Sequence, residues 1–235
     1  MRSPAPKRNN GNEHARVSAS GIPKASLERM AQYHQIAMRA GEDGNESLSS
    51  VFLARILGVD ETLVRKDMAS VSIPGKPRVG YATGQIIDTL EEIFGLSQHT
   101  DAVMIGCGGI GSALLRYPGF RKYGLLISAA FDADYQKVNQ RVGEYIVLPM
   151  EKCRSVINTF RVKVAILAVP ADAAQETVDW LICRGIRAIW NFAPIHLRVP
   201  EGVVVRNENL ALGLAELIHR LKQQNLEEEG GAANA

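Results

Sequence analysis

The sequence predicts an α/β chain in two blocks, a mostly helical one followed by a doubly wound parallel sheet. Three observations carry that reading. The hydrophobic pattern is helical over 25–97, and over 101–206 it becomes short apolar runs alternating with helical stretches, the change falling at Gly95–Thr100. A G-x-G-x-x-G run, Gly106, Gly108 and Gly111, follows the apolar segment "DAVMI". Asp132 closes a second apolar segment, "LLISAAFD", 21 residues beyond Gly111.

Composition bounds the possibilities. A chain of 235 residues with 46% hydrophobic residues can build two cores of unequal size. The net charge of +2 gives no global nucleic-acid signature, so any such surface must be local. Cys107, Cys153 and Cys183 are scattered without a C-x-x-C pair, which predicts reduced thiols and no metal site. No apolar run reaches the ~20 residues that span a bilayer, and the N-terminus lacks an apolar signal core. The expectation is a cytoplasmic protein without a membrane segment. Residues 1–22 and 225–235 are expected to be disordered tails, residues 1–24 holding five cations against one anion.

The helical block can be taken in order. "SLERMAQYHQIAMRAG" places Leu27, Met30, Ala31, His34, Ala37 and Met38 on one helical face. "LSSVFLARILG" follows with a serine cap and Gly58 as its stop, and "VDETLVRKDMASV" opens with Asp60 as N-cap. Val64, Met68 and Val71 then point inward, leaving Thr62, Arg65, Lys66, Ala69 and Ser70 outside. Two short helices joined this way have the dimensions of a helix-turn-helix. "SIPGKPRVGYAT" reads as a β-hairpin wing with Lys76 and Arg78 at its tip, and "QIIDTLEEIFGL" as a closing amphipathic helix with Ile86, Ile87, Leu90, Ile93 and Phe94 apolar. Residues 25–100 hold seven cations and ten anions, yet 55–78 hold five against three. With a Debye length of about 8 Å, the local excess matters more than the sum.

In the second block the strand, glycine loop, helix, strand and terminal acid come in the order of a dinucleotide site. Glycines let the backbone approach a pyrophosphate, and a carboxylate meets the ribose hydroxyls. Asp132 would repel a 2′-phosphate, which selects NAD over NADP. Ala113, Leu114 and Tyr117 are expected to face the sheet, and Ser112 either donates to phosphate or sits in the helix's first turn. Cys107, inside the loop, reads as a small filler or as a thiol activated by the helix start. "YIVLP", "VKVAILAVP" and "GIRAIWNFAP" supply further strands, with a helix, "ADAAQETVDWLICRG", between the last two. Val169-Pro170 and Phe192-Ala193-Pro194 stand at strand ends, where open α/β sheets bind ligands. "NLALGLAELIHRLKQQ" puts Leu210, Leu214, Leu217, Ile218 and Leu221 on one stripe suited to dimerisation. No acid/base pair accompanies the loop. His196 is the one histidine near a ligand face, and no substrate domain follows, so sensing fits better than catalysis.

At these residues the chain resembles the Rex family of redox-sensing transcriptional repressors. The resemblance spans Ile22 to Leu221 and is carried by "IPKAS", "SSVFLARILGVDETLVRKD", "GKPRVGY", "IGCGGIGSALLRYPGF", "AAFDAD", "VAILAVPADAAQE" and "GIRAIWNFAPIHLRVPEGVVVRNENLA". It implies a winged-helix DNA-binding domain over 23–97, a Rossmann NAD(H)-binding domain over 101–206 and a dimerisation helix over 207–224. It implies a homodimer that binds operator DNA and is released by NADH. Carried over, the cofactor set is Gly106, Cys107, Gly108, Gly109, Ile110, Gly111 and Asp132, with Val169, Pro170, Asn191, Phe192, Ala193 and Pro194 beside the nicotinamide. The DNA-facing set is Lys24, Ser49, Thr62, Arg65, Lys66, Lys76, Arg78 and Tyr81. Tyr117, Asn209 and Leu210 are the switch and dimer residues.

The chain also departs from the family pattern. "RKDMASVS" lacks the aromatic pair of "RRDFSYFG", Pro77 and Arg78 alter the wing, Gly109 replaces a side chain, and Asn209 stands at an aspartate position. It therefore reads as a divergent member or paralogue. Two other readings stay open: an NAD-binding relative with altered switching that acts through a protein partner, and a small NAD-dependent oxidoreductase, which fits worst.

Overall fold

The computed structural model describes residues 21–96 and 98–232, so all but the last two residues of the tail expected over 1–22 lie outside it. The chain divides between residues 97 and 98 into two compact units.

The first unit comprises α1 (Lys24–Glu42), β1 (Ser47–Leu48), α2 (Ser50–Leu57), α3 (Glu61–Ser70), β2 (Tyr81–Ala82) and α4 (Thr83–Phe94). Local chemistry sets the helix ends. Ser49 caps α2 by accepting from the Phe52 N–H at 3.1 Å, and Gly58 ends it at φ 66°. Asp60 caps α3 by accepting from the Thr62 N–H at 2.7 Å. α1 packs on α4 and α2 on α3, around Met30, Tyr33, Leu53, Val64, Met68, Ile86 and Leu90. The buried face of α1 differs from the expected one. Ala31 is exposed and Tyr33 is buried, because an aromatic ring removes far more apolar area from water than a methyl group. The Tyr33 hydroxyl also donates to Asp67 Oδ2 at 3.0 Å, while Arg29 grips both Asp67 oxygens at 2.7 and 2.8 Å. That buried carboxylate is thereby paired and hydrogen-bonded, the condition under which a buried charge is tolerated. The expected hairpin wing is smaller than its sequence suggested. Lys76 and Gly80 close a tight turn through one bridge, and the extended pairing is Ser47–Leu48 with Tyr81–Ala82.

The second unit runs β3 (Thr100–Ile105), α5 (Gly109–Leu115), a 3-10 turn (Pro118–Tyr123), β4 (Leu125–Asp132), β5 (Arg141–Val142), β6 (Tyr145–Pro149) and a 3-10 turn (Met150–Lys152). It continues through α6 (Cys153–Phe160), β7 (Val164–Leu167), α7 (Ala171–Ile182), β8 (Ala188–Asn191), β9 (Val204–Asn207) and α8 (Leu210–Ala232). The sheet order is β5-β6-β4-β3-β7-β8-β9, parallel except for β5. Chain direction across the sheet reverses between β3 and β7, so their carboxyl ends flank a topological switch point. Alternation within the strands builds a core on each face. Val103 and Ile105 pack with Phe131, Leu167, Val178 and Leu181, whereas Ala102 and Met104 pack with Leu115, Val147 and Ile166.

Two expectations change here. α5 ends at Leu115, ahead of the turn begun by Pro118. Leu115 is therefore the buried residue, and Ala113 and Tyr117 are exposed. The tail expected over 225–235 is helical backbone as far as Ala232, a continuation of α8.

Candidate functional site

The glycine loop joins β3 to α5 at the switch point, and its glycines divide into two kinds. Gly106 has φ +91°, and a Cβ there would lie 2.5 Å from the Ala168 carbonyl oxygen. A Cβ on Gly111 would overlap the Gly106 carbonyl oxygen and stand 2.9 Å from its carbon. These two are demanded by packing. Around Gly108 and Gly109 a Cβ would meet nothing within 4 Å. Their bareness opens a hollow against the backbone rather than relieving a clash. The first bond of α5 runs from the Ser112 N–H to the Gly108 carbonyl at 2.8 Å, leaving the N–H groups of Gly109, Ile110 and Gly111 without an intrahelical acceptor. Such a cradle accepts a phosphate oxygen. Ser112 itself is engaged, its hydroxyl donating to the Cys107 carbonyl at 2.8 Å.

Asp132 stands at the end of β4 beside this cradle. Its Oδ2 accepts from the Cys107 N–H at 2.7 Å and from Lys137 Nζ at 3.3 Å, and its Oδ1 from the Asp134 N–H at 2.8 Å. A carboxylate has about four acceptor directions, so these bonds orient it and still leave capacity for a hydroxyl donor. Cys107 is a filler. Burial first, and the Asp132 charge second, push its thiol up to about 11, which removes it as an activated nucleophile.

On the other side of the switch point, Val169 is half-buried and Pro170 exposed at the head of α7. Asn191 is fully buried and its side chain is committed to the protein. Nδ2 donates to the Ile195 carbonyl at 3.0 Å and to Asn207 Oδ1 at 2.8 Å, while Oδ1 accepts from the Ala193 N–H at 2.9 Å. It shapes the loop that presents Phe192, Ala193 and Pro194, so its expected place beside a ligand becomes a positioning one. Ala193 is itself buried and Pro194 exposed.

An aromatic row missed by the sequence reading leads away from this loop. Phe192 and Trp190 lie 5.0 Å apart, Trp190 and Phe120 5.4 Å, and Phe120 and Tyr117 5.0 Å between ring centres. Glu208 anchors it, accepting from Trp190 Nε1 at 3.1 Å and from Arg206 Nε at 3.0 Å. The rings come from "YPGF" and "WNF", segments 70 residues apart whose contact no local pattern reveals. Tyr117 ends the row with its side chain largely exposed. Asn209 Oδ1 accepts from the Ala211 N–H at 3.0 Å and so caps α8. Leu212, Leu214, Leu217, Ile218 and Leu221 are all exposed along that helix, and the Leu210 side chain lies outside the described residues. His196 is exposed and, among the described residues, has no hydrogen bond or ion pair. The described residues contain no cluster of potential metal ligands and no helix long and apolar enough to cross a membrane.

In the first unit a groove of about 580 Å³ runs between the starts of α2 and α3 and the 75–81 turn. It gathers Ser49, Arg65, Lys76 and Arg78, with Glu61 as its acid. Glu61 accepts from Ser50 Oγ at 2.7 Å and pairs with Arg65, holding that guanidinium on the outer face of α3. The carbonyl and N–H of Lys76 bond Gly80 at 2.9 and 2.8 Å, fixing the turn with Arg78 at φ +64°. Thr62 and Lys66 are exposed on α3, and Lys24 is exposed at the start of α1, outside the groove. Tyr81 also lines the groove. Only 7% exposed, it belongs to the core, where its ring packs on Gly75 and props the turn.

Residues 97–195 match a family model described as "CoA binding domain", and residues 21–69 match one described as "Putative DNA-binding protein N-terminus". The chain is 38% identical over 201 residues to a redox-sensing transcriptional repressor Rex of Porphyromonas gingivalis, covering 86% of this chain and 92% of that one. It is 29% identical to RSP, a Rex-family repressor, in a crystal structure with β-NADH, with a TM-score of 0.80 over 89% of this chain and 98% of that one. Against RSP with β-NAD+ and operator DNA the TM-score is 0.79 at 28% identity, over 91% and 99% of the two chains.

Proposed function

Since the chain belongs to the Rex family of redox-sensing transcriptional repressors, we infer that it is an NAD(H)-responsive, DNA-binding repressor and not an enzyme. The observation that carries this is the pair of bare glycines. Gly108 and Gly109 border open space that no packing demand explains, and Asp132 waits beside them with acceptor capacity. A pyrophosphate and an adjoining ribose diol fit that cradle. When bound, NAD(H) supplies the signal, a nicotinamide ring that is cationic when oxidised and neutral when reduced.

The chain's own residues do the rest. The loop from Gly106 to Gly111 holds phosphate, Asp132 accepts from ribose, and Val169, Pro170, Phe192 and Ala193 flank the nicotinamide, with Asn191 fixing their loop. Arg65, Lys66, Lys76 and Arg78 face DNA phosphates and base edges, supported by Ser49 and Thr62. The protein works in the cytoplasm as a homodimer, because a regular exposed stripe of Leu and Ile on α8 needs an apolar partner and an identical helix supplies one. Dimerisation also gives two copies of α3, which a palindromic operator requires. No metal takes part. A second reading, a relative with weakened switching, draws on Asn209, whose uncharged amide caps α8 where the family pattern has an aspartate.

The test is selection of duplexes from genomic fragments by the protein with saturating NAD+. A recovered palindrome whose affinity drops in Arg65→Ala is expected. Fragments bound without common sequence, equally by both proteins, would reject the reading.

A further inference from the structure

A second hollow, of about 500 Å³, opens against the 183–187 turn between α7 and β8 and is lined by Arg154, Asn158, Cys183, Arg184, Gly185 and Arg187. No carboxylate lines it. In a chain with 25 acids, three guanidinium groups around one concavity, none in an ion pair among the described residues, form an uncompensated positive site.

The arginines are also held ready. Arg184 stacks on the Trp180 ring, 3.6 Å from its centre, and its Nη1 donates to the Trp180 carbonyl at 2.8 Å. Its Nε is buried and bonds nothing in the protein. Arg187 uses Nη1 on the carbonyls of Ile182 and Ile186 at 3.2 and 2.8 Å. Capping the end of α7 explains the Nη1 contacts with the Trp180 and Ile182 carbonyls. It does not explain Arg154, which comes from α6, is exposed, and has no partner among the described residues. Lys163, donating to the Gly185 carbonyl at 3.4 Å, adds a fourth cation nearby.

We propose that this hollow binds a small molecule carrying a phosphate dianion, as an effector site separate from the dinucleotide cradle. Guanidinium forks match phosphate oxygens in pairs, and a volume within the ~300–1,000 Å³ of ligand sites leaves room for an organic group beyond the phosphate. The turn feeds the amino end of β8, opposite the 191–194 loop, so both sites can be filled at once.

Cys183 provides the readout. It is exposed and lines the hollow, whereas Cys107 and Cys153 are buried with thiols pushed up to about 11 and about 12. In the full-length protein, alkylation of Cys183 by neutral iodoacetamide is followed by mass spectrometry at constant ionic strength. Inorganic phosphate or phenyl phosphate is expected to slow it saturably, while chloride and acetate do not. Arg154→Gln should raise the half-saturating concentration about tenfold, equivalent to ~1.4 kcal/mol, and leave NADH affinity unchanged. Tighter protection by phenyl phosphate assigns a phosphate ester, and tighter protection by inorganic phosphate assigns the free ion. Equal protection by acetate, no saturation, or unaltered protection in Arg154→Gln at an unchanged melting temperature would overturn the proposal.

Discussion

Adding one methyl group to Gly108 and, separately, to Gly111 tests the division of labour in the glycine loop. At Gly111 the new Cβ overlaps the Gly106 carbonyl oxygen and stands 2.9 Å from its carbon, well inside the ~3.5 Å at which carbon atoms rest. Both clashing atoms are backbone, so no rotamer change relieves them. Overpacking costs ~1–3 kcal/mol, and rigid neighbours place Gly111→Ala near the top of that range. For a unit of this size ~3 kcal/mol lowers the melting temperature by roughly 6–12 °C. At Gly108, φ is −69° and a Cβ meets nothing within 4 Å. The same methyl group there narrows the unfolded ensemble and is expected to stabilise the protein by ~0.4–1 kcal/mol. It also occupies the hollow assigned to pyrophosphate, and an affinity loss of tenfold or more, ~1.4 kcal/mol, follows. Calorimetric melting without cofactor and NADH titration of both variants measure the two effects. A Gly108→Ala protein that binds NADH like wild type would refute the assignment of that open space to the cofactor.

Other perturbations have equally definite outcomes. Asp132→Asn should weaken NADH and NAD+ alike in fluorescence and calorimetric titrations, because the ribose is common to both; unchanged affinities would remove Asp132 from the site. Asn191→Ala leaves the buried Ala193 N–H without its partner, and a buried unsatisfied group costs ~1–3 kcal/mol, so a lower denaturation midpoint is expected. Burial holds the Cys107 thiol neutral to about 11 against an ordinary 9.0, so the folded protein retains a proton that the unfolded chain gives up. Stability should therefore fall as pH rises from about 9 towards 11, and Cys107→Ala should flatten that fall in urea titrations. Leu217→Glu on α8 should convert a dimer to a monomer in sedimentation, and a dimer that survives it would place the interface elsewhere.

The order of elements was legible because each carries its own punctuation. Ser49, Asp60 and Gly58 mark helix ends with side chains or a backbone freedom that few residues supply, and the structure uses each where it stands. Asp132 was legible for a similar reason, since its distance from Gly111 is the length of one helix and one strand. Contacts between distant segments were not. Nothing in the local sequence pairs Asp67 with Arg29 and Tyr33, which lie 38 and 34 residues away and close on it. The burial of Tyr81 depends on where Gly75 lies, which local sequence does not reveal. Asn191 appeared to be a ligand contact because sequence cannot reveal that Ile195, Ala193 and Asn207 consume its hydrogen bonds. β9 is short and sits at the sheet edge, with Val204 largely exposed, so no buried period marks it.

The protein's defining property is control of DNA binding by the redox state of the bound dinucleotide. Its direct measurement is the anisotropy of a labelled palindromic operator fragment, titrated with the protein in saturating NAD+ and again in saturating NADH at one salt concentration. Tight binding with NAD+ and a loss of at least tenfold with NADH are expected. Equal affinity in the two cofactor forms would contradict that expectation.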